Sequence, residues 1–418
     1  MPISTPLIRA QIRPEKAYAT PLLDLNSTAD FDPLFDAEFF AALPEAPAVV
    51  RIEPRSDFAD ARPFLIRTAN LRSRMKRLLA RRDPNDPAAA KRLSLRDYAS
   101  SIRFRVAGSI FELAFIHWQQ ARQLYPTAYR EKLHLRSPAL IKMAIENAYP
   151  RCYVTRQIRT DHFGNPARGF YFGPFSSRRA AENFSSEFLN LFKLRRCQIK
   201  IRRDPTFPGC IYSEMKMCLA PCFAGCTDEE YARESKRVHE FLETCGASLT
   251  AEVEAEREAA STNLDFERAA ELHRRLEKTQ DVLRPLPELA RSIEKLDAVI
   301  LQRAAEPESI AVFVVRRGWI AEPFLLRFGQ SAEPRSAEEI LREVLGAEPA
   351  AVAPTDDIAP PARGTNEPLA DHLALLARWF FSKPRHGEIF YREKDWPYRR
   401  LIRACSRLLT EPEKNGKQ

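Results

Sequence analysis

The sequence predicts an α+β chain built from several small domains. Three observations carry that expectation. The 418 residues exceed what one hydrophobic core usually organises. Apolar periodicity switches between two and about 3.6 along the chain. Proline-rich stretches separate the patterned ones. Hydrophobic residues make up 44% and charged residues 29%, which is enough apolar material for real cores. No apolar run approaches the roughly 20 residues of a membrane span. The opening MPISTPLIRAQIRPEKAYATP lacks an apolar signal core, so a cytoplasmic setting without a membrane partner is expected. The formal net charge of +9 suits an anionic partner, of which nucleic acid is the commonest.

Residues 1–45 read as an N-terminal arm, Pro-rich and patterned only at FDAEFFAAL. Residues 46–135 combine strand patterns (APAVVRIEP, RPFLIRT) with amphipathic helices (NLRSRMKRLLARR, SIFELAFIHWQQARQL), a small α/β domain. Residues 136–226 hold short strands, a helix at RRAAENFSSEFLNLF and a cysteine cluster. Residues 227–290 read as a helical hairpin. Thr227 and Glu230 form a capping-box signature, Asp265 can cap the next helix, and Pro285 and Pro287 stop it. Residues 291–346 alternate in LDAVILQ and SIAVFVVRRGWIAEPFLLRF, a β-hairpin or short sheet with Gly318 at a turn. Residues 347–365 are a Pro/Ala linker. Residues 366–418 return to C-terminal helices (PLADHLALLARWFFSKP, WPYRRLIRACSRLL) and a tail expected to be disordered. The chain shows no internal repeat.

The strongest chemical signal is the set Cys197, Cys210, Cys218 and Cys222, separated by twelve, seven and three residues. Thiolates this close suit one soft metal centre, either zinc or an iron–sulfur cluster. Disulfides are the weaker reading without a secretory signal. Cys226 is a nearby fifth thiol, a substitute ligand or a spectator. Cys152, Cys245 and Cys405 carry no spacing signal.

The segments around that cluster extend the signal. YPRCYVTR (149–156) and GFYFGPF (169–175) precede LFKLRRC, and NLDFERAAELHRRLE (263–277) follows. This order resembles the UvrC family, the nuclease component of bacterial excinuclease ABC, over about residues 60–330. The resemblance implies a 4Fe–4S cluster rather than zinc, a choice the spacing leaves open. It also implies that the 263–277 segment is a UVR motif, docking a matching hairpin of the partner UvrB. Phe266, Ala269, Ala270, His273 and Leu276 fall at helical steps and form the expected docking face. Arg274 stands where the family usually has an acid.

The resemblance further implies a GIY-YIG-like nuclease domain, in degenerate form. PFLIRTANLRSRM (63–75) resembles the second half-motif, with Phe64 in the place of the tyrosine, Ile66 of the glycine and Arg67 of the lysine; Arg74 keeps the arginine. APAVVRIEP lacks the first tyrosine. His117 falls where the metal-binding glutamate is expected. Such a nuclease needs a carboxylate to hold Mg²⁺ or Mn²⁺ and a tyrosine to help activate water; phenylalanine and imidazole are poor replacements. Glu112 could hold metal instead, but on a helix it points about 140° away from His117. The stretch after residue 326 is too short for an RNase H fold followed by helix–hairpin–helix repeats, and Asp356, Asp357 and Asp371 are not assigned to catalysis.

Two basic runs suit phosphates. One holds Arg67, Arg72, Arg74, Lys76, Arg77, Arg81 and Arg82; the other holds Lys193, Arg195, Arg196, Lys200, Arg202 and Arg203. Trp319, Trp379 and Trp396 could stack on bases, and HGEIFYREKDWPYRR (386–400) could be a binding surface. The expected function is a UvrC-like nucleotide-excision-repair protein that binds DNA and UvrB, with nuclease activity weakened or lost. An active atypical member of the excinuclease and a non-enzymatic UVR-motif interaction protein are the alternatives.

Overall fold

Three antiparallel sheets, each backed by helices, build the structure. The computed structural model describes residues 13–14, 24–58, 62–81, 93–159, 166, 169–329, 335–346 and 367–410. The linker 347–365, the tail after 410, most of residues 1–23, and with them Arg82, Asp356 and Asp357, lie outside the described residues. The first sheet contains β1 (Arg13–Pro14), β2 (Ser27–Asp30), β3 (Ala48–Pro54), β4 (Phe64–Thr68) and β5 (Ala99–Val106), in the order β1-β2-β5-β3-β4. The helices α1 (Asp36–Ala42), α2 (Leu71–Leu79) and α3 (Ile110–Leu124) accompany it, and the short α4 (Tyr129–Lys132) follows. Both expected strands and both expected helices of this region form. β5, a strand absent from the sequence expectation, lies between β2 and β3.

The second sheet has the order β7-β6-β8-β9, from β6 (Ala139–Met143), β7 (Cys152–Thr155), β8 (Phe170–Phe175) and β9 (Arg291–Ser292). The helix α5 (Arg178–Leu189) packs on it, the one-turn α6 (Ile211–Glu214) lies in the cysteine loop, and α7 (Asp228–Glu243), α8 (Ala247–Thr262) and α9 (Phe266–Leu283) follow. The capping box forms: the Thr227 hydroxyl accepts the Glu230 N–H at 3.1 Å, and the Glu230 carboxylate accepts the Thr227 N–H at 2.8 Å. Asp265 caps α9 by accepting the Arg268 N–H at 3.0 Å.

The third sheet is the expected short sheet, enlarged. β10 (Ala298–Arg303) pairs with β11 (Ser309–Arg316), which also pairs with β12 (Trp319–Ile320) and β13 (Phe324–Arg327). β14 (Glu388–Tyr391) closes the other edge, Ala298 opposite Tyr391. The segment 386–400 is therefore divided: Glu388–Tyr391 is a paired strand and Trp396 and Tyr398 are buried, whereas Arg392, Arg399 and Arg400 stay exposed. The helices α10 (Ala337–Gly346) and α12 (Tyr398–Thr410) cover one face through Val299, Leu301, Val312, Leu341 and Leu401. The helix α11 (Glu367–Phe380) covers the other through Ile300, Phe313, Leu373 and Leu376. Both faces are buried, so these strands are near-continuous apolar runs and not the alternating pattern expected of them.

The α11 side shares its core with the first domain. Phe111 and Phe115 of α3 meet Phe313 edge-on, at ring-centroid distances of 4.8 and 5.9 Å, and Phe111 lies 5.2 Å from the Trp379 ring. Asp371, fully buried, fastens the joint. It accepts hydrogen bonds from the Trp118 indole at 3.3 Å and from the Tyr129 hydroxyl. Arg130 Nε approaches its other oxygen at 3.1 Å, an ion contact without hydrogen-bond geometry. This acid ties α3 and α4 to α11. The three tryptophans weighed as base-stacking residues are spent on structure. Trp396 is 4% exposed and donates to the Leu345 carbonyl at 3.2 Å, Trp379 is buried and donates to the His386 carbonyl, and Trp319 is half-buried against His372.

At Gly108 the backbone passes so close to the third sheet that a Cβ would lie 2.1 Å from the Ala304 carbonyl carbon. Only hydrogen fits there. Gly108→Val is expected to lower unfolding stability by about 2 kcal/mol or more, the scale of core overpacking; denaturant titration of the full chain checks it.

Candidate functional site

Polar side chains fold the turn between β4 and α2. The Thr68 hydroxyl accepts the Asn70 N–H at 3.2 Å, and Asn70 caps α2 by accepting the Ser73 N–H at 2.9 Å. This turn and the exposed side of β4 form a 510 Å³ pocket lined by Arg67, Thr68, Ala69, Asn70, Ser73, Arg74 and Arg77. No carboxylate and no tyrosine lines it. Among the described residues no acid pairs with any of its three arginines. Arg74 Nε is buried without a hydrogen-bond partner. Burial first, and the neighbouring Arg77 next, depress the proton affinity of Arg74; burial and then Arg378 do the same to Arg67. An anion in the pocket would relieve both effects.

The structure divides the basic residues into free and committed ones. Arg67, Arg74 and Arg77 meet in the pocket, and Lys76 is exposed beside them. Arg72 is removed from the DNA-contact set, because its guanidinium donates to the Leu43 carbonyl at 2.8 Å and the Ala41 carbonyl at 3.1 Å and pairs with Glu45. It splices α1 to α2. Arg203 is likewise engaged, with Asp228 at 2.6 Å and the Cys226 carbonyl at 2.7 Å, whereas Arg202 is exposed. Arg195 is buried and donates to the Tyr149, Cys197 and Ile199 carbonyls. Thr68, Asn70 and Ser73 were missed as pocket residues; the NLRSR turn following a strand was the available signal.

Phe64 is half-buried against the first core, where it offers no proton. His117 lies on α3 within electrostatic reach of Arg67; burial first, then that guanidinium, pushes its imidazole down to about 4, so it is neutral at pH 7. Glu112 does not stand in for the lost acid. It is 3% exposed, burial raises its pKa, and it accepts the Gly108 N–H at 2.8 Å, capping α3 from within. The His117 shift has a sign. Below pH 6.5 the unfolded imidazole takes a proton that the folded one refuses until about pH 4, so stability falls across that window as pH falls. His117→Gln is expected to flatten that part of the acid-denaturation profile, as followed by denaturant midpoints at pH 7, 5.5 and 4.

The cysteine loop is pinned at several points. Cys222 carbonyl accepts the Asp204 N–H at 2.9 Å, Leu219 N–H donates to Lys193 O at 3.0 Å, and Ala220 and Ala224 adopt left-handed backbone on either side of Cys222. Cys197, Cys210, Cys218 and Cys222 feel one another. Burial pushes Cys218 up to about 11; the Ala220 N–H, 3.3 Å from its sulfur, opposes this, and the sulfurs of Cys197, Cys222 and Cys210 add to the rise. Arg195 Nη1 lies 3.9 Å from the Cys197 sulfur. Among the described residues no three His, Cys, Asp or Glu side chains are gathered as a ready metal site. Four thiols are the donor type that suits a soft centre, and a cation held beside them would favour their thiolate forms. Cys226 is buried in the hydrophobic core of this lobe.

The hairpin of α8 and α9 closes on Leu249, Val253, Leu272, Leu276 and Val282. This divides the expected docking face. Leu276, 6% exposed, belongs to the core with Leu272, and Ala269 packs beside them, so Leu276 is corrected from docking to packing. Phe266, Ala270 and His273 lie outside, Phe266 at 69% exposure next to Leu264 at 72%. Arg274 is exposed as well.

A cysteine loop and a helical hairpin with an exposed tip thus pack around the second sheet. Residues 140–241 match the family model described as UvrC/Cho excinuclease, middle domain, and residues 247–281 match the UvrB/uvrC motif. Over these segments the chain is of the UvrC family. It is 32% identical over 180 residues to UvrABC system protein C of Ruminiclostridium cellulolyticum, covering 43% of this chain and 28% of that protein. It is 28% identical over 283 residues to the same-named protein of Moorella thermoacetica, covering 67% of this chain and 43% of that one. The match thus spans less than half the length of these curated relatives. No solved structure matches the chain. Among the described residues no helix is long and apolar enough to cross a membrane.

Proposed function

We propose that this chain is a nucleotide-excision-repair protein of the UvrC type that grips DNA phosphates in a degenerate GIY-YIG-like domain and does not cleave efficiently. The carrying observation is the pocket of Arg67, Arg74 and Arg77 without an acid. Divalent-metal hydrolysis needs oxygen ligands for the ion and a group that moves a proton from water. Here three cations face inward, Phe64 supplies no hydroxyl, His117 is a neutral imidazole and Glu112 is already bonded. Loss of a general acid or base alone slows a reaction by about 10²–10⁴-fold. Guanidinium groups remain well suited to phosphate oxygens, which they bind in a forked geometry without sequence preference.

Cys197, Cys210, Cys218 and Cys222 are the residues that would hold a 4Fe–4S cluster, with zinc as the alternative. Bound there, the metal centre would neutralise the thiolates and stiffen the loop that carries Arg202. UvrB is the proposed partner of the hairpin, through Phe266, Ala270 and His273. An exposed phenylalanine beside an exposed leucine is the kind of apolar anchor that a matching helix pair buries.

Four measurements test this reading. Arg67→Gln with Arg74→Gln is expected to weaken duplex binding by about tenfold or more, with unchanged affinity in EDTA and in Mg²⁺ for the wild type, as two charge-assisted contacts are lost. Efficient nicking of damaged duplex by the wild type with UvrA, UvrB and Mg²⁺ would sink the non-cleaving part. Anaerobically purified protein is expected to be brown and to contain iron, and colourless protein with stoichiometric zinc would replace the cluster by a structural zinc. Phe266→Asp is expected to abolish capture of UvrB while leaving the helical circular-dichroism signal in place.

A further inference from the structure

The helix α12 carries a second charged surface, remote in sequence from the arginine pocket. Its sequence YRRLIRACSRLLT holds four arginines and no acid. Leu401, Ala404 and Cys405 turn into the third sheet, leaving Arg399, Arg403 and Arg407 one turn apart along the outer ridge. Arg400 stands at the edge of that ridge, over the Phe390 ring at 5.6 Å. Arg407 is held by both Glu388 oxygens, at 2.9 and 2.6 Å from Nη2, which fixes the far end of the row. Arg399 and Arg403 are exposed and pair with no acid among the described residues. The acids of the adjacent α10 are already engaged: Glu338 with Arg342, Glu343 with Arg335, and Glu339 with Ser336. Asp395 is taken by the Trp396 N–H at 2.7 Å. Among the described residues, Arg399 and Arg403 are thus the members of the ridge left without a balancing acid.

We infer that this ridge of α12 is a second nucleic-acid phosphate track, separate from the arginine pocket. The row spans about 12 Å of helix axis, the length over which one DNA strand presents about three phosphates. No exposed aromatic interleaves the arginines, so the track reads backbone charge and not bases. The two surfaces lie on opposite sides of the third sheet. The α12 helix packs on the Val299 and Val312 face, whereas Arg67 neighbours Arg378 of α11, on the Ile300 and Phe313 face. A duplex that touches both must follow the edge of that sheet, or two segments must be held at once.

This inference rests on the DNA-binding part of the proposed function, and one experiment separates their failures. Binding of the full chain to a fluorescent undamaged duplex is measured by anisotropy over a salt series. Arg399→Gln with Arg403→Gln is expected to weaken binding and to reduce the log–log salt slope by about 2, close to 0.9 per phosphate released. Arg178→Gln with Arg179→Gln on α5 removes equal charge and is expected to keep the slope. Arg399→Lys with Arg403→Lys keeps the charge and most of the slope, which covers the case in which the glutamine pair fails to fold. Combined with Arg67→Gln and Arg74→Gln, the α12 pair is expected to add its loss independently. An unchanged slope in the α12 pair, with weakened binding in the pocket pair, overturns the track and leaves the proposed function standing. If neither pair alters duplex binding, both fall. If the wild type binds phosphatidylserine vesicles through this ridge and the α12 pair leaves the DNA slope unchanged, the surface faces lipid and the inference is overturned.

Discussion

Burial of α3 between two sheets is the constraint on which the layout rests. Phe111, Phe115 and Trp118 enter a core that also contains Val49 of the first sheet, Phe313 of the third and Trp379 of α11. Each large apolar side chain buried this way contributes about 1.5–3 kcal/mol of transfer free energy, so the joint is set by packing more than by charge. The same helix carries His117 towards β4. Its depth fixes the imidazole near Arg67 and strips it of its proton. A packing decision thereby sets the electrostatics of the pocket.

Charge is distributed by function and not evenly. Inside the first domain, Arg72 is consumed in holding α1, while Arg67, Arg74 and Arg77 are left to face one another. In the cysteine lobe the problem is inverted: burial first, and the other sulfurs in addition, hold the Cys218 thiol protonated, and Arg195 bonds the surrounding carbonyls. Uncompensated like charge is costly, so the arginine pocket has the character of a receptacle for an anion.

Patterned segments were legible from residues alone. The switch between strand and helix periodicity in 46–124 named β3, β4, α2 and α3, and Thr227, Glu230 and Asp265 marked helix starts because capping is local chemistry. β14 was not legible. Its four residues pair with β10, about ninety positions upstream, and nothing within GEIFY encodes that partner. β5 hid its alternation behind Arg103 and Arg105, which leave the core face to Ile102 and Phe104. In α9 the docking face was phased from Phe266 through Leu276, but Leu276 belongs to the buried row with Leu272, Thr279 and Val282. A first-turn apolar residue need not share the face of those that follow. The pocket itself was half legible: its arginines stood out by type, and its polar turn did not.

The contact at Gly108 reaches beyond this one chain. Since backbone presses on backbone there, no compensating change in a neighbouring side chain could make room for a larger residue. Evolution could alter almost any other position on this seam, but this one only by separating the two sheets. Among distant homologues, an alanine or bulkier residue aligned with it would mark a lineage whose domains are joined in some other way.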